Sequence, residues 1–467
     1  MQTDRMCNAD SHSLTRRDAI KASLASVAAF AGLPSGFRPL TFLGEGNYLE
    51  AATHARAWLS ATAQRGPNGL TWAADPLNPK SESFDLYNGM PGVVLFSLEY
   101  AHATGDRQAL DDAATAAGRV YTAATGTTEQ SENMGLYTGV AGQTYVLHEV
   151  YRSTGDRKFL EAVQWPLKML KAYAKPTASG VQWSTTVDII SGNAGTGLTL
   201  LYLADQLHDD ELVDIAHRAA KHVATLGIEE KGGLKWAMNP TFARRMPNFS
   251  HGTAGVAYFL AAVAERTNDA QLLDTAARGA AYLRNVATRT ENNGWKVFHS
   301  EPGNESLYYL SWCHGPAGTA RLYERLGRSA RYKALREEVP KLAQGIVDGG
   351  VPEQSPGYWN NISQCCGNCG VVEFFTSLYR TTRDAKHLAI ARKVMDNALG
   401  RATADRDGLK WVQAENRVSP NVVIAQTGMM QGAAGVGLAL LHLDGAMKGR
   451  ADRIVLPDNP WPGGSTT

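Results

Sequence analysis

Ser250-His251-Gly252-Thr253-Ala254-Gly255, running straight into the apolar stretch from Val256 to Glu265, decides how this chain folds. Its Gly-x-x-Gly core returns at Gly89 (GMPG), Gly139 (GVAG), Gly192 (GNAG), Gly315 (GPAG), Gly367 (GNCG) and Gly432 (GAAG), so seven copies follow one another at intervals of about 50 to 65 residues. A recurrence of that length marks a repeat architecture, in which each unit buries its apolar surface against its neighbours.

Each copy opens a helical stretch, such as Val93 to Ala103, with small and apolar residues around the whole circumference. Helices of that kind are buried on most sides. Polar breaks follow at Thr104-Gly105-Asp106, Thr154-Gly155-Asp156, Thr267-Asn268-Asp269 and Thr382-Arg383-Asp384, where the aspartate is placed to cap a second, amphipathic helix. Between that helix and the next Gly-x-x-Gly a glycine precedes Trp72, Trp183, Trp236, Trp295, Trp359 or Trp411, which reads as a loop or short hairpin with an aromatic plug.

The unit is therefore outer helix, Trp-bearing loop, Gly-x-x-Gly, inner helix. It runs from an outer helix at about Tyr48 to Gln64 to an inner helix at about Gly432 to Lys448. Seven such units predict an all-α protein, a seven-unit (α/α) toroid with the apolar helices inside and the amphipathic ones outside. An open solenoid is the competing arrangement, because a period alone does not say whether a stack closes. Closure is expected because neither end carries a cap of its own composition. The glycines let crowded backbones approach at the start of the inner helices.

The repeat occupies residues 45 to 450 of the 467, which predicts one large domain followed by an irregular, proline-containing tail at 451 to 467. Net charge is +1 with no basic block, so nucleic acid is excluded as an expected partner. Residues 1 to 31 differ in character: Thr15-Arg16-Arg17-Asp18-Ala19-Ile20-Lys21, an Ala-rich apolar run and Ala29-Phe30-Ala31 resemble a twin-arginine export signal with its cleavage site. The expectation is an exported protein, periplasmic or secreted, which meets the twin-arginine translocation machinery and has no stable membrane span after cleavage. A plain amphipathic helix and an uncleaved anchor are the other readings of this segment.

Chemistry concentrates just ahead of the glycines. The residue before the first glycine of each copy is Asn88, Thr138, Ser191, His251, His314, Cys366 and Gln431, all polar or metal-binding, and in a toroid these positions share one rim. Cys313 and Cys365 occupy equivalent places two residues ahead of Gly315 and Gly367. With Cys7 removed with the signal, Cys313, Cys365, Cys366 and Cys369 allow two disulfides or a metal site. A bridge between adjacent Cys365 and Cys366 demands a strained ring. Three sulfur ligands with one open position suit a catalytic zinc. Cys369 takes the register position of Ala194, Ala254, Ala317 and Ala434 and reads better as a core residue. His314 could replace one cysteine as a ligand but reads rather as lining the pocket, His251 is a structural histidine or an acid or base, and Asp188, four before Gly192, is the other titratable group near this rim.

Trp312-Cys313-His314-Gly315-Pro316-Ala317-Gly318, Cys365-Cys366-Gly367-Asn368-Cys369-Gly370, Ser250 to Gly255 and Asp188 to Gly195 together resemble the lanthionine synthetase C-like proteins, over the whole repeat region. The resemblance implies a seven-unit (α/α) toroid with central zinc, ligated by Cys313 and Cys365, with Cys366 standing where most members have histidine. It places His251 and Asp188 around the reacting thiol and His314 at a variable position. It implies zinc-dependent addition of a thiol to a dehydroamino acid, on a peptide or small-thiol substrate. Some members carry an arginine shortly before the Trp-Cys pair, and Ser306 to Ser311 contains none. Two other classes are a zinc-bearing binding protein without turnover and a glycan-processing toroid. The latter needs a carboxylate pair among Asp85, Asp188, Glu305 and Glu373, none of which has a partner at a telling spacing.

Overall fold

The computed structural model describes residues 46–67, 69–126, 133–353, 361–461 and 463. The export-signal segment and Trp359 lie outside the described residues. Seven inner helices follow the Gly-x-x-Gly turns: α2 (Met90–Thr104), α4 (Val140–Thr154), α6 (Asn193–Leu207), α8 (Thr253–Thr267), α10 (Pro316–Leu326), α12 (Asn368–Thr382) and α14 (Ala433–Lys448). Seven outer helices alternate with them: α1 (Tyr48–Thr62), α3 (Arg107–Thr125), α5 (Arg157–Ala172), α7 (Asp210–Thr225), α9 (Ala270–Asn285), α11 (Glu338–Asp348) and α13 (Ala385–Gly400).

The two layers follow from burial. Every residue of α8 from Thr253 to Ala264 is buried, whereas α7 buries one stripe, Leu212, Ile215, Ala216, Ala219, Ala220 and Val223. The aspartates anticipated as caps accept backbone N–H bonds at the heads of outer helices: Asp106 from Gln108 and Ala109, Asp156 from Lys158, Asp269 from Gln271 and Leu272, Asp384 from Lys386. Each such cap is worth about 1 kcal/mol. The fifth unit departs from the pattern, with a 3-10 run Ala330–Glu337 leading into α11. Pro340 lacks the N–H an upstream turn needs and clashes with the carbonyl four residues back, so the α-helix starts only at Glu338.

The tryptophan marks sit in short hairpins, such as Lys175–Thr177 paired with Gly180–Gln182. Trp72, Trp183, Trp236 and Trp411 donate their indole N–H to the carbonyls of Leu59, Leu170, Val223 and Ala398, at 2.7, 2.7, 2.9 and 2.9 Å. Those carbonyls lie in the last turns of the preceding outer helices, where main-chain acceptors otherwise lack partners. Trp295 instead donates to Glu338 of α11, at 2.9 Å.

The stack closes. Residues two ahead of the first glycines pass main-chain hydrogen bonds around the ring, from Tyr87 N–H to Tyr137, Tyr137 to Ile190, Ser250 to Cys313, Cys313 to Cys365, Cys365 to Met430 and Met430 back to Tyr87, at 2.8 to 3.1 Å. The remaining step runs from Ile189 N–H to Ser250 at 3.2 Å. The open solenoid is thereby ruled out, and α14 packs against both α1 and α2. The glycines make this tightness possible. A Cβ on Gly255 would lie 2.0 Å from the Phe249 carbonyl oxygen, and one on Gly435 only 1.7 Å from that of Met429.

Among the described residues no helix follows α14, yet Ile454, Asp458 and Trp461 of the C-terminal segment are buried. It packs into the centre of the ring: Glu99 of α2 accepts the N–H groups of Arg453 and Ile454, both at 2.8 Å, and Arg380 of α12 pairs with Asp452 at 2.5 Å. Asp458 accepts from the Tyr137 hydroxyl at 3.2 Å and the Trp312 indole at 3.1 Å.

Candidate metal centre

The ring of main-chain bonds sets the site, because it holds the backbones of Cys313 and Cys365 together. Cys313 N–H donates to the Cys365 carbonyl at 3.0 Å, and Cys366 N–H donates to Ser363 Oγ at 3.0 Å. The side chains converge: Cys313 Sγ lies 3.1 Å from Cys366 Sγ, which lies 3.6 Å from Cys365 Sγ. All four described cysteines are free, and these separations far exceed a disulfide bond of about 2.05 Å. They approach the roughly 3.8 Å edge of a tetrahedron with zinc–sulfur bonds of about 2.3 Å. The donor set therefore fits a thiophilic metal, and Cys313, Cys365 and Cys366 form a ligand cluster with no fourth member among the described residues. Cys369 is fully buried in α12 outside the cluster, its thiol pushed up by burial and by Glu373.

Tyr87 donates its hydroxyl to Cys365 Sγ at 3.0 Å and accepts from Gln431 Nε2 at 2.9 Å. Burial pushes the Cys365 thiol up, but hydrogen bonds from Cys313, Cys366 and Tyr87 outweigh it and hold the thiol well below its ordinary range. Cys313 is pushed up by burial and by its two sulfur neighbours. Cys366 receives a lowering hydrogen bond from Cys313, yet Cys365 and burial raise it on balance. The protein's own hydrogen bonds thus stabilise one thiolate at the cluster, the charge state a metal ligand needs.

Asp188 of the third unit and His251 of the fourth meet on the rim that carries Cys366 of the sixth. Ring and carboxylate are both buried, with Nδ1 2.5 Å from Asp188 Oδ2, while Asp188 Oδ1 accepts the Ser191 N–H at 2.8 Å. A carboxylate only accepts, so His251 Nδ1 carries the proton and Nε2 is left for the cavity that His251 shares with the three cysteines. His314 lines this cavity too, buried and with an unpartnered Nδ1, its ring 4.1 Å from that of His299. Burial, reinforced by nearby His299 and His251, holds His314 well below its ordinary value. Burial and the charges of Arg417, His251 and Arg244 bring His299 to about 3, so both rings are neutral at pH 7.

Among the lining residues that no motif marks are Tyr87, His299, Tyr309, Glu415 and Arg417. Tyr87 stands in the register of Cys313 and Cys365, two before Gly89, and extending that register to the first unit would have found it. The other four lie in the two longest intervals between Gly-x-x-Gly copies, where insertions make loops on one face. Arg417 supplies from the last unit a cation that Ser306 to Ser311 does not. Of the carboxylates weighed for glycan chemistry, Asp85 is held by the N–H of Asn88, Glu305 accepts from the N–H of Gly303, and Glu373 pairs with His442. None of these three lines the cavity.

Fold and site together define a closed seven-unit (α/α) toroid with a three-sulfur cluster at its mouth. The match of residues 80–456 to the family model described as "Lanthionine synthetase C-like protein" covers most of the sequence, and the chain belongs to that family. Among solved structures the chain is similar to nisin cyclase, at 15% identity and a TM-score of 0.59, over 85% of this chain and 98% of that one. An α-1,6-mannanase variant of Salegentibacter sp. HEL1_6 aligns at 12% identity and a TM-score of 0.47 over 86% of this chain and 99% of that chain. An unsaturated glucuronyl hydrolase specific for heparin aligns at 12% and 0.47 over 86% and 97%. These likenesses are of fold. No curated protein sequence matches the chain. Among the described residues no helix is long and apolar enough to cross a membrane.

Proposed function

We propose that Cys313, Cys365 and Cys366 hold zinc, and that the site adds a thiol to the β-carbon of a dehydroalanine or dehydrobutyrine residue. The observation that carries the reading is the convergence of the sulfur cluster and the Asp188–His251 pair on one cavity. Family membership supports the same chemistry. What zinc supplies when bound is an electrophilic centre with an open position, at which a thiol loses its proton near neutral pH.

The chain's own residues do the rest. Tyr87 and Gln431 keep the Cys365 sulfur oriented toward its two neighbours. When the substrate sulfur bonds to the β-carbon, the π pair moves onto the α-carbon and its carbonyl, and the α-carbon must take a proton. His251 Nε2 takes up the proton that the thiol gives up and returns it to the α-carbon, while Asp188 holds Nδ1–H and stabilises the ring through the transfer. Asp188 thus positions the acid. His314, kept neutral by burial, lines the pocket and is the third candidate catalytic side chain.

The substrate in this reading is a peptide or small thiol met after export by the twin-arginine route, with residues 1–31 as the signal. The test is to incubate zinc-loaded protein with a dehydroalanine-containing peptide and a thiol, and to follow the mass of one added thiol. Adduct formation above the buffer rate, lost on chelation and in His251→Asn, is expected. Bound zinc and bound peptide with no mass change would instead favour the binding protein without turnover.

A further inference from the structure

The last unit carries a hairpin beyond its Trp-bearing one, Val412–Ala414 paired with Val423–Ala425, and the loop between its strands brings Glu415, Asn416, Arg417 and Val418 to the cavity wall. Arg417 is half-buried there, on the same cavity wall as Tyr309, with a buried Nε that has no partner. Among the described residues no carboxylate pairs with it. Glu415, the one carboxylate lining the cavity, is occupied by Gln426 Nε2 at 3.0 Å and by Asn88.

A guanidinium left without an anion at the wall of a pocket is the residue type that grips a carboxylate through paired N–H bonds. Tyr309, Asn304 and His299 line the same cavity and offer it a hydroxyl, an amide and a neutral ring. Arg417 and all three sulfurs of the cluster line this one cavity, so a single bound molecule faces both.

We infer that Arg417 anchors a carboxylate of the thiol substrate, so that the cavity takes a thiol with an acid group a few bonds from its sulfur. The inference rests on the thiol-activation reading and names the substrate class for it. Two sources share this chemistry, a free small thiol acid and a cysteine at the C-terminus of a peptide.

The experiment is calorimetric titration of the zinc-loaded protein with 3-mercaptopropionate and with its neutral amide, beside Arg417→Gln and Arg417→Lys. The acid should bind about tenfold or more tighter than the amide, since one tenfold step is the scale of a charged hydrogen bond. Arg417→Gln should bring the two together without weakening the amide, and Arg417→Lys should retain part of the preference. Equal binding in the unaltered protein, or a preference that survives Arg417→Gln, overturns the inference alone. An amide thiol that fails to bind zinc-loaded protein at all overturns the thiol-activation reading with it. A cysteine-terminated peptide compared with its C-terminal amide separates the sources: the same preference there supports a peptide end, and a preference confined to the small acid supports a free thiol acid.

Discussion

Replacing the cysteines one at a time separates a three-sulfur site from every alternative. Structural zinc in small peptides is held with an apparent ~10–16 kcal/mol by four ligands, or about 2.5 to 4 kcal/mol for each, so loss of one sulfur should weaken binding on the order of a hundredfold. Cys365→Ala should be worse than Cys366→Ala. Cys365 is the sulfur most stabilised as thiolate, and its loss also leaves the buried Tyr87 hydroxyl without its acceptor, a further cost of about 1 kcal/mol or more. Cys369→Ala should leave zinc affinity within about twofold, because its sulfur lies outside the cluster, while a small cavity in α12 costs stability. Competition against a chromophoric chelator at fixed pH reads the affinities, and thiol titration in denaturant shows that the remaining cysteines are reduced. Undiminished zinc affinity in Cys365→Ala, or a hundredfold loss in Cys369→Ala, would refute the ligand assignment.

Three further outcomes follow from the same geometry. Asp188→Asn should slow thioether formation about a hundredfold or more while zinc content stays at the unaltered level, because the ring loses the partner that fixes its tautomer; mass-resolved initial rates and metal analysis check it. Asp458→Ala should destabilise the protein by about 3 kcal/mol or more, read by denaturant unfolding, since it strips a buried charge from Arg321 and orphans the Tyr137 and Trp312 donors. Burial raises Asp452 to about 7 despite His442 and Arg380 pulling it down, with Glu99 and Glu373 adding to the rise. Its native pKa exceeds the unfolded value of about 3.9, so the native state binds the extra proton, and this contribution to stability is lost as pH rises from about 4 to about 7. Asp452→Asn should abolish that component, seen as a smaller stability gap between pH 5 and pH 7 than in the unaltered protein.

Much of the site was legible because the repeat carries its own ruler. Cys313, Cys365 and Cys366, His251 and His314 were found by counting back from a glycine, and a toroid turns equal register into equal position on a rim. The same ruler misses what the repeat does not contain. His299, Tyr309, Glu415 and Arg417 belong to loops of the two longest units, whose lengths say only that something has been inserted. The C-terminal segment shows a second limit. Its prolines and polar residues mark the absence of helix, but nothing local reveals that Asp458 is buried beneath Trp312.

Helical class, the number of units, the inner and outer layers and the sulfur donors are all written in the order of residues along the chain. Period, capping aspartates and apolar circumference are local properties, and each helix expresses them wherever it lies. Closure, the proximity of three sulfurs, the His251–Asp188 pair and the approach of Arg417 were decided only by tertiary structure. They depend on the angle between successive units and on partners 50 to more than 300 residues apart. Small rotations add up around a ring, and only the complete set of seven shows that Met430 meets Tyr87.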